Sequence, residues 1–173
     1  MLHAFSVEHA CTFQPGLGKS LITSQAVQLD AAGSLACASA GLLPASCKIH
    51  ATIVYEPDTR GCGLALRTSE DFESGYYIRL EPAQQRLVFD ASPRPNDQPF
   101  MIGLERSIHL EPSTRIQITV LVEDSICVVY VNGETAMSAR MYDLTKGSWG
   151  VFVQQGAAKF TDLSLAERMK GSK

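Results

Sequence analysis

The 173-residue chain reads as an all-β protein, a two-sheet antiparallel β-sandwich. Three observations predict this class. Short segments rich in β-branched and aromatic residues recur at fairly even spacing along nearly the whole chain. No stretch keeps a helical period for more than about ten residues. The segments also alternate, with one apolar side against one polar or aromatic side, so that two such sheets bury each other's apolar faces.

Taken in order, the first strand segments are 10–14 and 25–29, the second stopped by Asp30-Ala-Ala-Gly33. The Ile- and Val-bearing run 47–56 follows and is closed by Pro57-Asp-Thr-Arg-Gly61. Segments 62–68, 76–81 and 86–91 come next, then a loop over 92–98 rich in Pro, Asn and Asp, of the surface kind that often carries function. After a strand at 100–104, runs 115–123 and 126–132 flank the acidic turn Glu123-Asp124-Ser125 and end in Asn132-Gly133, a hairpin signal. Segments 135–141, 149–154 and 159–166 complete the set, with Lys146-Gly147 as the last strong turn. Runs 17–21 and 36–43 are the least strand-like and suit a helical turn equally well. No repeat or linker interrupts the chain, so residues 1–173 are read as a single domain. Its expected core includes Leu64, Leu66, Ile78, Leu87, Phe89, Ile118, Val120 and Val151.

Alternation also selects candidate site residues. Leu64 and Leu66 share one side of their strand, Ile78 and Leu80 one side of the next, Leu87 and Phe89 one side of the third. If these three strands are neighbours, Arg67, Tyr77, Arg79 and Asp90 share the opposite, exposed face. Two guanidinium groups, a carboxylate and a ring suit a sugar, whose hydroxyls need directional partners and whose C–H face packs on rings. A solvated face in which Arg67 or Arg79 pairs with a nearby acid fits the same pattern.

Composition narrows the classes of function. A hydrophobic fraction of 45% with 19% charged residues is that of an ordinary globular domain. Fifteen basic and eighteen acidic residues leave a net charge of −3 without a block of either sign, which argues against a nucleic-acid partner. The basic end Arg168-Met-Lys170-Gly-Ser-Lys173 is too short to change this. No apolar run approaches the roughly 20 residues that span a bilayer, and Met1-Leu-His-Ala-Phe-Ser lacks the features of a signal peptide. Five cysteines, Cys11, Cys37, Cys47, Cys62 and Cys127, are odd in number and lack metal-ligand spacing; they read as reduced thiols, which favours a soluble, cytoplasmic protein.

Several quoted stretches together resemble a known family. They are Gly63-Leu-Ala-Leu-Arg67-Thr-Ser-Glu-Asp71, Leu87-Val-Phe-Asp90, Pro93-Arg-Pro-Asn-Asp97 with Leu104-Glu105-Arg106, and the Glu123-Asp124-Ser125 turn. Val129-Tyr-Val-Asn-Gly133, Ser138-Ala-Arg-Met-Tyr142, Trp149-Gly150-Val151-Phe152 and Leu163-Ser-Leu165 continue the series. Their order and spacing resemble the C-terminal β-sandwich of glycoside hydrolase family 32, roughly over 61–168 and less clearly over 2–56. Two positions depart from it: Ala91 stands where members often carry Arg, and Val128 where many carry Glu. The resemblance implies a jelly-roll sandwich of the concanavalin A-like lectin type, forming the C-terminal part of a longer glycosidase. It also implies an N-terminal catalytic β-propeller as partner and a terminal fructoside of levan or inulin as ligand. Joined to the face that alternation selects, this places the ligand on Arg67, Tyr77, Arg79 and Asp90, with the 92–98 loop and its Asp97 as a wall. A purely structural domain that buttresses the propeller or helps it oligomerise fits the resemblance too. A lectin-like protein of unrelated ligand is compatible with the fold.

Catalysis is not expected of this chain. The family's carboxylates lie in Asn-Asp-Pro-Asn-Gly, Arg-Asp-Pro and Glu-Cys motifs of the propeller, and none occurs here. Asn96-Asp97-Gln98-Pro99 echoes the first without the second acid that retaining hydrolysis needs. Four scattered histidines and no Gly-x-Ser-x-Gly elbow leave no Ser/His/Asp site; His50 reads as a polar-face residue. Gly16-Leu-Gly18-Lys19-Ser20 ends like a phosphate loop but has Phe13 where its first glycine belongs, and is read as a turn. The acid pairs Glu70-Asp71 and Glu123-Asp124 offer too few oxygens for calcium. No cofactor is implied.

Overall fold

Strands with one apolar side need a second apolar surface, and this chain provides it by folding into two facing sheets. The computed structural model describes residues 9–92 and 104–168. Its strands in chain order are β1 His9–Ala10, β2 Gln14–Pro15, β3 Lys19–Ile22, β4 Ala26–Asp30, β5 Leu35–Leu42, β6 Ser46–Tyr55, β7 Gly61–Thr68 and β8 Gly75–Glu81. They continue as β9 Arg86–Ser92, β10 Leu104–Ser107, β11 Ile116–Glu123, β12 Ile126–Val131, β13 Thr135–Arg140, β14 Ser148–Gln154 and β15 Ala157–Glu167. One sheet runs β13-β12-β11-β6-β15-β4-β3, with β1 paired to β15; the other runs β10-β9-β8-β7-β14-β5-β2. All pairings are antiparallel. Among the described residues no helix is long and apolar enough to cross a membrane.

The expected core is the observed one: Leu64, Leu66, Ile78, Leu87, Phe89, Ile118, Val120 and Val151 are all buried between the sheets. Trp149, Phe160, Ile49 and Ile53 fill the same layer, and Phe13 meets Trp149 edge-on with ring centroids 5.6 Å apart. Asn132 and Gly133 both take positive φ, the geometry that their dipeptide favours between strands. Runs 17–21 and 36–43 hold no helical turn. They form β3 and β5, and β5 hides its period because Ala36, Cys37 and Ala38 are buried in succession. The one helical element among the described residues is a 3-10 turn at Pro82–Gln84, begun by proline and ended by Gln85 at φ 50°. The 92–98 loop, apart from Ser92, and most of the 100–104 segment lie outside the described residues.

One expectation fails for a clear reason. Strict alternation would put Arg67 outward beside Gly63 and Ala65. Against β14, however, Thr68 lies opposite Ser148 while Ala65 lies opposite Gly150, so β7 carries one extra residue there. This bulge sets Arg67 at φ 52° and turns its side chain into the interior, where it is 6% exposed. Its guanidinium donates to the carbonyls of Met141 at 3.1 Å, Leu144 at 3.0 Å and Asp124. Gly147 accommodates the bulge: a Cβ there would lie 2.4 Å from the Arg67 carbonyl carbon, at a φ of +151°. Arg67 therefore ties the sheets together and is absent from the outer face.

Removing this side chain leaves carbonyls facing an empty buried space. Arg67→Ala is expected to lower unfolding stability by about 3 kcal/mol or more, and Arg67→Lys to recover only part, since one ammonium cannot span the same fork. Urea denaturation midpoints of the three proteins check this; an Arg67→Ala midpoint equal to the parent's would refute it.

Candidate functional site

The outer face of the seven-stranded sheet is shaped by small residues. Gly61 and Gly63 line β7, and a Cβ on Gly61 would lie 2.9 Å from Arg79 Cδ. That missing atom lets the Arg79 stem lie across the sheet. A Cβ on Gly63 would lie 1.9 Å from the Ile78 carbonyl oxygen, so β7 and β8 approach closely at this point.

Two layers cover this face. On one side the 69–74 loop folds over the sheet and places Phe72, at φ 59°, on Cys37, Ala65, Tyr77 and Phe152, a second apolar cluster outside the main core. Tyr77 meets Phe152 edge-on at 5.1 Å, and its hydroxyl donates to the Phe72 carbonyl. Burial first, then the charges of Cys37 and Asp71, push the Tyr77 phenol up to about 12, so it stays a neutral donor. The loop is closed by Asp71, whose carboxylate accepts from Ser69 Oγ at 2.5 Å and the Glu73 amide at 3.0 Å; these bonds hold its carboxyl below the usual range.

On the other side a charged cleft opens, with a volume of about 680 Å³. Arg79 Nε donates to Glu81 Oε1 at 2.8 Å and its guanidinium lies 3.7 Å from Asp90. Arg86, paired across the turn with Glu81, donates to Glu81 Oε2 at 2.6 Å and to Glu105 at 2.7 Å. Burial acts to raise the Glu81 carboxyl, but hydrogen bonds from Arg79 and Arg86 outweigh it and hold the group below the ordinary carboxylate range. Arg60, Gln84 and Gln154 complete the rim. The arrangement offers directional donors and acceptors beside one buried ring.

Of the residues that alternation selected, Tyr77, Arg79 and Asp90 line this cleft, but Tyr77 is buried, because the 69–74 loop lays Phe72 over it, and Arg67 is in the interior; Asp97 of the expected wall lies outside the described residues. Arg79 is also paired with acids, as a solvated face would have it. Arg60, Glu81, Arg86 and Gln154 escaped the sequence reading. The Glu81–Arg86 pair had a signal, two opposite charges flanking a four-residue Pro-bearing turn between adjacent strands. His50 stands on the outer face of the other sheet with Nδ1 3.1 Å from Thr119 Oγ1, and Glu123 bonds Ser46 and Arg168.

Because the folded-state Glu81 carboxyl is depressed, the stabilisation it supplies is fully present above its unfolded range and is lost as pH falls through its lowered folded value. Glu81→Gln is therefore expected to flatten the acid limb of a stability–pH profile between about pH 3 and 6. Equal slopes in parent and variant would count against this charge network.

The family described as glycosyl hydrolases family 32 C terminal matches residues 17–167. Comparison with curated proteins finds no match. Among solved structures, the carbohydrate binding module CBM66 from Bacillus subtilis superposes with a TM-score of 0.76 at 12% identity, covering 90% of this chain and 95% of the other. A Bacillus subtilis protein of unknown function with a galectin-like fold gives 0.66 at 10% identity, covering 96% and 100%. The Aspergillus kawachii β-fructofuranosidase gives 0.60 at 13% identity; the match covers 93% of this chain and 28% of that enzyme.

Proposed function

Because the chain belongs to the family of glycosyl hydrolase family 32 C-terminal domains, we propose that it is a non-catalytic accessory domain whose outer cleft binds carbohydrate, specifically a terminal β-fructoside. The observation that carries this reading is the cleft itself: Arg79, Asp90, Glu81 and Arg86 aligned by mutual ion pairs beside the buried Tyr77. A fructosyl ring has several hydroxyls and one C–H-rich side. The charged groups serve the hydroxyls as hydrogen-bond partners, and the exposed Leu17 in the cleft lining gives the C–H side an apolar surface. Near balance of opposite charges in the cleft favours a neutral polyol over an ionic ligand.

The partner in this reading is the catalytic β-propeller of a parent glycosidase. Exposed Leu42 and Tyr142 favour a covering surface near the 43–147 junction, where the Leu43 amide donates to the Gly147 carbonyl. The same observation favours a second reading, a structural buttress for that propeller with no sugar of its own.

Calorimetry of the purified chain against levan- and inulin-type oligosaccharides separates the two. The binding reading expects a dissociation constant between micromolar and millimolar, about −8 to −4 kcal/mol. Arg79→Ala is expected to weaken it by about 1.5–3 kcal/mol. No heat at millimolar ligand leaves the buttress standing, and binding that Arg79→Ala leaves intact moves the site elsewhere. Fructose release by the purified chain would overturn the non-catalytic reading.

A further inference from the structure

A second groove adjoins the charged cleft. Its volume is about 440 Å³, within the range of about 300–1,000 Å³ that small-molecule sites occupy, and Tyr55, Pro57, Arg60, Pro82, Leu110 and Pro112 line it. Arg60 borders both spaces, and the 3-10 turn Pro82–Gln84 forms the ridge between them, with Gln84 toward the cleft and Pro82 and Ala83 toward the groove. We infer that cleft and groove are successive subsites for one oligosaccharide, the terminal disaccharide unit in the cleft and the next linked residues in the groove. The inference rests on the carbohydrate-binding reading above and narrows its ligand class to linked chains of at least three sugars.

The groove is built before any ligand arrives. Gln85 uses its whole amide as a staple: Nε2 donates to the Pro82 carbonyl at 2.8 Å and the Leu110 carbonyl at 2.9 Å, while Oε1 accepts from the Leu110 amide at 2.9 Å. Thr59 fixes the opposite wall by donating to the Ala157 carbonyl at 2.9 Å and accepting from the Ala157 amide at 3.2 Å. The Arg60 amide is shared between the carbonyls of Gln154 and Gln155, so its position is set while its side chain carries no ion pair among the described residues. A guanidinium held between two spaces and left with open donors suits the hydroxyls around a glycosidic link. Walls held in place cost a ligand little ordering.

Tyr55 supplies a second, independent pointer. It is 1% exposed, lines the groove, and its hydroxyl is the buried side-chain polar atom that finds no hydrogen-bond partner among the described residues. Buried hydroxyls are normally paired, and an unpaired one is costly. A ligand hydroxyl, directly or through one water, offers the missing partner in a site where three prolines, Leu110 and Ala83 suit sugar C–H groups and lie among the polar Asp58, Thr59, Arg60 and Gln85.

Calorimetry of the full chain with inulin-type di-, tri- and tetrasaccharides tests this, beside Ala83→Arg, which fills the groove from an exposed position outside the cleft. The expected result is affinity rising about tenfold or more from disaccharide to tetrasaccharide in the parent. Ala83→Arg, shown to be folded by an unchanged urea midpoint, should lose the gain and keep the disaccharide affinity. Equal affinity at all lengths overturns the inference while leaving the cleft site intact. So does a gain that Ala83→Arg preserves. No binding at any length overturns both readings.

Discussion

The buried guanidinium of Arg67 is the constraint around which the rest of the sandwich is arranged. An arginine inside a protein stays charged and must find acceptors for its donors. Here those acceptors are backbone carbonyls from the β11–β12 turn and from the 141–144 segment, both joined to the opposite sheet. Tyr76 on the neighbouring strand adds to the same grip, its hydroxyl accepting from the Asp143 and Leu144 amides. The connection from β13 to β14 is thereby held from the seven-stranded sheet, and the two layers cannot slide without breaking several bonds to one side chain.

That same bulge explains where sequence reasoning succeeded and stopped. Strands β6, β11 and β12 were legible because Ile and Val recur there at every second position, and core residues such as Ile118 and Val120 followed from that parity. Parity carries no information past an inserted residue, so Arg67 was assigned to the wrong side. Strand β5 was obscured for another reason: Phe72 folds over its outer side, both faces are apolar, and its Ala- and Cys-rich run has no period to read. At the site, Tyr77, Arg79 and Asp90 were legible from alternation alone. Arg60, Glu81 and Arg86 were not, because a turn residue has no parity and an ion pair across a turn needs the register of its two strands.

The outer face of the seven-stranded sheet combines an apolar cover with a charged hollow, and both grow from the same small-residue strand. Gly61 and Gly63 keep β7 low, so Arg79 lies flat and is clasped by Glu81 and Asp90. Phe72 seals the adjoining stretch and orients Tyr77 through its carbonyl. Because these groups stand mainly on β8 and β9, their separation is set by sheet geometry and is rigid on the scale that hydrogen bonding requires. Burial has a parallel effect on the thiols: Cys47, Cys62 and Cys127 are each pushed up to about 12, chiefly by burial, and act as apolar filler with no part in the site.

The sheet that bears the cleft ends in two very short strands. One edge is β2, two residues long and including Pro15, which has no amide hydrogen to donate; the other is β10, four exposed residues with Glu105 and Arg106 at its centre. A long polymer would gather many copies of such a domain side by side and raise their local concentration steeply. Open edges would then invite strand exchange and fibre growth between neighbours. With its edges blunted in this way, the sheet keeps its own hydrogen bonds even where copies of the domain are crowded together.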